Sequence, residues 1–145
     1  MRHYRKTLRT YAKLNANDKQ LKGCSYCNDH KNKTYKLVRE GKTMVITHNR
    51  VMYDMFEGQR VTENLMIIPI RHVESLDDFN DEEKLEYMTI LGEYEKQNYD
   101  VYARGKGSVT RSMLHQHTHL IKMENRQKLP KILFFIRKPY FLFDR

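Results

Sequence analysis

His115, His117 and His119 alternate with Gln116 and Thr118 and run straight into Leu120-Ile121. A strand sends successive side chains to opposite faces, so the three imidazoles share one face, spaced roughly 6.5–7 Å apart. Three imidazoles in a row can hold a metal, move protons or attack an electrophile. A polar strand face that happens to carry histidine is the plainer alternative. The strict period and the apolar pair that follows argue against it.

The rest of the chain supplies the sheet that such a strand needs. Tyr35–Glu40 and Met44–His48 flank Gly41-Lys42, which reads as a hairpin. Asn64–Pro69 is an apolar strand ending at a residue that cannot donate to a ladder. Asn80 with Glu83 three residues later opens a helix, and the acids of its first turn suit the positive end of the macrodipole. Leu85, Met88 and Leu91 mark the face expected to pack on the sheet, with the helix running to about Tyr99. Tyr87 and Tyr94 read as packing residues. The order strand, strand, strand, helix, strand predicts an α+β fold: a mostly antiparallel sheet of about five strands with one main helix on it. The 145 residues suit a single domain, divided here into a basic arm over 1–22 and a domain over 23–145.

The arm carries no acid before Asp18, and Tyr4, Leu8 and Tyr11 fall at helical spacing, so a short basic amphipathic helix is expected, followed by a polar linker from Asn15 to Lys22. It can dock on the domain, contact nucleic acid or act as a targeting segment. The net charge of +9 predicts an anionic partner: nucleotide, nucleic acid or an anionic surface. No apolar run approaches the roughly 20 residues of a transmembrane span, and no apolar signal region follows the start, so a cytoplasmic location is expected.

Cys24-Ser25-Tyr26-Cys27 is a CxxC turn, two soft thiolates at a separation that suits tetrahedral zinc. His30 is the only near candidate for a further ligand, and a redox pair would need the motif to open a helix after a strand. The remaining ligands are therefore expected from far along the chain. At the other end, the apolar tail from Ile132 to Phe143 must cover the sheet, meet a second subunit or meet a membrane.

The stretch from Gly107 to Ile121, with Arg111 and Ser112 in register before His115, resembles the signature of the histidine-triad (HIT) superfamily of nucleotidyl hydrolases and transferases. The resemblance extends upstream from Asn49 to Leu76, where Pro69, Arg71 and His72 follow an apolar strand, although Glu63-Asn64 stands where Gly-His is usual. The resemblance implies that His117 attacks the α-phosphorus and forms a nucleotidyl-histidine intermediate. It implies that Ser112 donates to phosphate, that Arg111 serves a polyphosphate leaving group, that His119 orients His117 or binds phosphate, and that Asn49 contacts the nucleoside. An Asn about eleven residues before the first histidine assists in many relatives. Here that position is Arg104. The CxxC places the sequence with the zinc-bearing branch, which implies a structural zinc on Cys24, Cys27, His72 and His115. The competing reading leaves both cysteines reduced and idle, with His115 in the active site. The family is usually dimeric, which implies a homodimer. Substrates of the dinucleoside polyphosphate or nucleoside phosphoramidate type follow. The alternatives are a nucleic-acid-binding module on the same fold and a degraded enzyme that only binds nucleotide.

Overall fold

A computed structural model of the chain describes residues 5–20 and 23–124. The apolar tail from Ile132 to Phe143 lies outside the described residues. The elements in order are helix α1 (Arg5–Gln20), helix α2 (Ser25–Asn32), strands β1 (Leu37–Glu40), β2 (Met44–His48), β3 (Met55–Phe56) and β4 (Gln59–Pro69), helix α3 (Asp81–Glu95), and strands β5 (Asp100–Ala103) and β6 (Thr118–Met123). The sheet is antiparallel in the order β1-β2-β4-β6-β5, with short β3 paired to β4. The α+β expectation holds, with six strands among the described residues. α3 is the expected main helix on the sheet, α1 is the helix expected in the basic arm, and α2 is additional. The expected linker from Asn15 is instead mostly helical, because α1 continues to Gln20. None of the described helices is long and apolar enough to cross a membrane.

Alternation along the central strands makes two apolar faces. Met44, Ile46, Leu65, Ile67 and Leu120 pack on one side with Tyr87, Ile90 and Tyr94 of α3. Val45, Met66 and Ile68 pack on the other with Tyr26 of α2 and with Met113. Leu91, Tyr87 and Tyr94 pack on the core as expected, but Leu85 and Met88 do not. Leu85 and Met88 are 72% and 63% exposed, and the buried stripe is Glu83, Tyr87, Ile90 and Tyr94. That stripe has helical spacing too, but it is built from tyrosines and a glutamate. Tyr87 earns its burial by pairing its hydroxyl with Thr118 Oγ1 at 2.9 Å.

Two glutamates of α3 fix what surrounds the sheet. Asn80 caps the helix, accepting from the Glu83 amide at 2.9 Å, while Glu83 accepts from the Asn80 amide at 2.9 Å. The same buried carboxylate takes two bonds from Arg71, 2.9 Å from Nε and 2.7 Å from Nη2. The loop after β4 is thereby tied to the start of the helix. One turn later, Glu86 accepts from the Thr43 amide (2.7 Å) and hydroxyl (2.6 Å) in the β1–β2 turn. A Cβ at Gly41 would run into that carboxylate.

Arg71 holds the Glu83 carboxyl below the ordinary carboxylate range, against the opposing effect of burial. A depressed folded value means that this stabilisation is complete above the unfolded value of 4.5 and is lost as pH falls through the folded value. Glu83→Gln is therefore expected to cost about 1–3 kcal/mol at pH 7 and much less near pH 3. Urea unfolding at the two pH values checks this; a cost that does not shrink in acid would remove the ion-pair account.

Candidate functional site

β6 begins only at Thr118, so the expectation of three histidines on one regular strand needs correction. The β4–β6 register ends with Ile67 opposite Thr118. Beyond it the Gln116 amide donates to the Val73 carbonyl at 2.7 Å, and the Pro69 carbonyl is taken by the His115 ring. The backbone before Thr118 leaves the ladder, yet the shared face survives. Tyr26 stands edge-on to both His115 and His117, and the His117 and His119 ring centres are 5.3 Å apart.

Hydrogen bonds sort the three rings into different jobs. His115 Nε2 lies 2.9 Å from the Pro69 carbonyl. A carbonyl can only accept, so Nε2 carries the hydrogen and Nδ1 keeps its lone pair. That Nδ1 faces Cys24 Sγ at 3.3 Å and Cys27 Sγ at 3.5 Å, and His72 Nδ1 lies 3.4 Å from Cys27 Sγ. His117 is the mirror case. Its Nδ1 lies 2.9 Å from the His115 carbonyl, so Nδ1 donates and Nε2 is the basic atom. His119 Nε2 lies 3.1 Å from the Tyr53 hydroxyl, and its buried Nδ1 has no partner among the described residues. Burial pushes the His115 ring down to about 4 and lowers the other two as well, so all three are neutral at pH 7.

Cys24, Cys27, His72 and His115 converge although they come from three parts of the chain; their four ligand atoms lie within 4.8 Å of one another. Tetrahedral zinc, with Zn–S of about 2.3 Å and Zn–N of about 2.0–2.1 Å, sets S···N at about 3.5 Å. The observed 3.3–3.5 Å separations match. Cys24 caps α2 and Cys27 sits in its first turn, where the helix end favours thiolate. Burial and the neighbouring Cys24 push the Cys27 thiol up to about 11, so two thiolates here need a cation between them. The Pro69 carbonyl orients His115 from behind, the usual arrangement for a ligating imidazole. The donor set and spacing fit zinc. The motif opens a helix, as a redox pair would, but α1 precedes it rather than a strand.

Beside the cluster lies a pocket lined by His117, His119, Ser112, Asn49, Arg50 and Arg104, with Tyr11 and Leu14 of α1 forming part of its wall. The basic arm thus docks on the domain, and Thr7 Oγ1 donates to Asp54 at 3.2 Å. Asn49 is braced in the pocket: Nδ2 donates to Asn64 Oδ1 (2.8 Å), and Oδ1 accepts from the Val51 amide (3.1 Å). Each of these atoms keeps one further bonding direction. Arg111 is placed differently from the other expected residues. It is not among the pocket's lining residues, and its guanidinium donates to the carbonyls of Met113 (2.9 Å) and Leu114 (2.6 Å), which brace the approach to His115. Its buried Nη1 has no partner among the described residues.

Tyr26 and Tyr53 escaped sequence reasoning as parts of the site. Tyr53 follows Asn49 closely, but nothing local says that its hydroxyl reaches a ring sixty-six positions away.

No family model matches the chain, and no curated protein does. Solved structures do. A HIT family hydrolase from Clostridium thermocellum aligns over 79% of this chain and 100% of its own, with a TM-score of 0.55 at 17% identity. One from Legionella pneumophila covers 72% of this chain and 95% of its own, with a TM-score of 0.52 at 20% identity. A Zn-bound histidine triad family protein from Mycobacterium smegmatis covers 75% and 81%, with a TM-score of 0.54 at 15% identity. At these identities the likeness is one of fold, and the fold is the HIT fold.

Proposed function

We propose that this chain, with its HIT fold and intact triad, is a nucleotidyl hydrolase or transferase acting on the α-phosphate of a nucleotide conjugate. The observation that carries the reading is the tautomer of His117. Its Nδ1 hydrogen is tied to the His115 carbonyl, and its Nε2 lone pair is neutral and in a pocket lined by Ser112 and two arginines. Nε2 attacks the α-phosphorus, the bond to the leaving group breaks, and the electron pair departs with that group. Water then attacks the nucleotidyl-histidine, releasing nucleotide and returning the lone pair to Nε2. Ser112 and His119 donate to the phosphoryl oxygens and Asn49 meets the nucleoside, while Arg111 braces the approach to the triad through the Met113 and Leu114 carbonyls. Brief incubation with a dinucleoside polyphosphate and quenching without acid is expected to give a nucleotidyl adduct that maps to His117 by mass spectrometry. No adduct, or one on another residue, would remove this mechanism.

On the same reading the protein is cytoplasmic and holds one structural zinc on Cys24, Cys27, His72 and His115. All four positions are filled by protein, so the metal offers no open site to substrate. When bound it stiffens the backbone on either side of His115, and His117 is two residues away.

A homodimer completes the reading. Leu85 and Met88 are exposed on the outer face of α3, and Val101, 45% exposed, lies on edge strand β5. Val101 pairs with Leu120 and so shares the face that α3 covers. An edge that no described strand covers, beside an apolar stripe, suits a second copy across a two-fold axis. Met88→Glu is expected to convert a dimer to a folded monomer in sedimentation; a wild-type monomer at high micromolar concentration would count against the dimer.

A further inference from the structure

The β5–β6 ladder ends with Ala103 opposite Thr118, so Arg104 and His117 are the residues that flank its last pair. Arg104 lines the same pocket as His117, His119 and Ser112. Its guanidinium lies over the Tyr102 ring, 5.6 Å from the centre, which fixes where the side chain starts from. Among the described residues that line this pocket none is acidic. Arg104 is a permanent planar cation in the pocket of the nucleophile.

We propose that Arg104 is a catalytic residue that bridges the reacting phosphate and the first phosphate of the leaving group, and that it selects conjugates whose leaving group is itself a phosphate. The inference rests on the nucleotidyl-transfer reading above. As the Nε2–P bond forms, the P–O bond to the leaving phosphate breaks and its electron pair stays on the bridging oxygen. Negative charge grows there, and a forked guanidinium that reaches both phosphates compensates it in the transition state. An amine leaving group departs with a proton and develops no such charge. A guanidinium gives it little help.

The test uses the full chain and two substrates of one nucleoside, a dinucleoside triphosphate and a nucleoside phosphoramidate. Arg104→Ala is expected to lower kcat/KM at least 100-fold on the triphosphate and less than 10-fold on the phosphoramidate. Arg104→Lys should recover part of the triphosphate loss, because it keeps the charge without the fork. Equal losses on both substrates, or no loss on either, would overturn the proposal while wild-type turnover left the enzymatic reading standing. Wild-type protein that turned over neither substrate would overturn both.

Discussion

Replacing His117 with alanine is expected to abolish turnover, on the order of 10⁴-fold or more in kcat, while nucleotide affinity changes little. The asymmetry follows from what His117 does before chemistry begins. Its Nδ1 is held by a backbone carbonyl, so the ring is oriented without substrate, and Nε2 matters only once a bond to phosphorus forms. On the proposed reading, binding rests instead on Asn49, Ser112 and the arginines that line the pocket. Ser112→Ala should be milder, about 10- to 1000-fold in kcat, because it removes one donor and leaves the nucleophile. Product formation read alongside calorimetric nucleotide affinity checks both variants. Because His117 is buried against Tyr26, His117→Gln accompanies the alanine variant so that a packing defect is not mistaken for lost chemistry. Turnover in either His117 variant would end the nucleotidyl-histidine scheme.

His72→Ala is expected to lower stability by about 4 kcal/mol, on the order of 10 °C in Tm, together with loss of bound zinc. His72 is the informative ligand because it is exposed and makes no contact with the pocket. An exposed histidine with no metal would contribute within about 0.5 kcal/mol. Cys24→Ser should match it in metal content and stability, since either change opens a tetrahedral site whose ligands span 91 residues of chain. Elemental analysis and thermal unfolding of protein purified without added metal read the two effects together. Well under one zinc per chain in the wild type, or a silent Cys24→Ser, would favour the idle-thiol alternative.

The parts of this molecule that were legible in sequence are those whose signals are local. The hairpin at Gly41 and the cap at Asn80 each need only a few neighbouring residues, and both stand as expected. The buried face of α3 is legible only in part: Tyr87 and Tyr94 read as packing residues, but Glu83 does not, and Leu85 and Met88 read as buried. Leu85 and Met88 look more apolar than Glu83, Tyr87 and Tyr94, but the latter have partners: Arg71 for the carboxylate and Thr118 for one hydroxyl. Hydropathy ranks residues by transfer from water and cannot see a partner that folding will supply. The four metal-ligand candidates were named through resemblance, and convergence of Cys24, Cys27, His72 and His115 gives that naming a geometric footing. Arg104 shows the opposite. In sequence it is a departure from a pattern, and only the fold sets it in one pocket with His117.

The strand order has a consequence for how the chain is made. β6 is the last described strand, yet it lies between β4 and β5. A ribosome releases more than a hundred residues before Thr118 emerges. Until then β4 has one of its long edges open and β5 has no neighbour. The apolar faces of Leu65 and Ile67 are incomplete over the same interval, because Leu120 packs with both. Folding of the described sheet thus waits on β6, and a nascent chain halted before it is an aggregation-prone species. The sulfurs of Cys24 and Cys27 leave the ribosome early, but their partner at His115 arrives with that same strand. On the zinc reading, metal capture and closure of the sheet are one late event, and translation stalled between β5 and β6 should yield chains that depend on chaperones and hold zinc weakly.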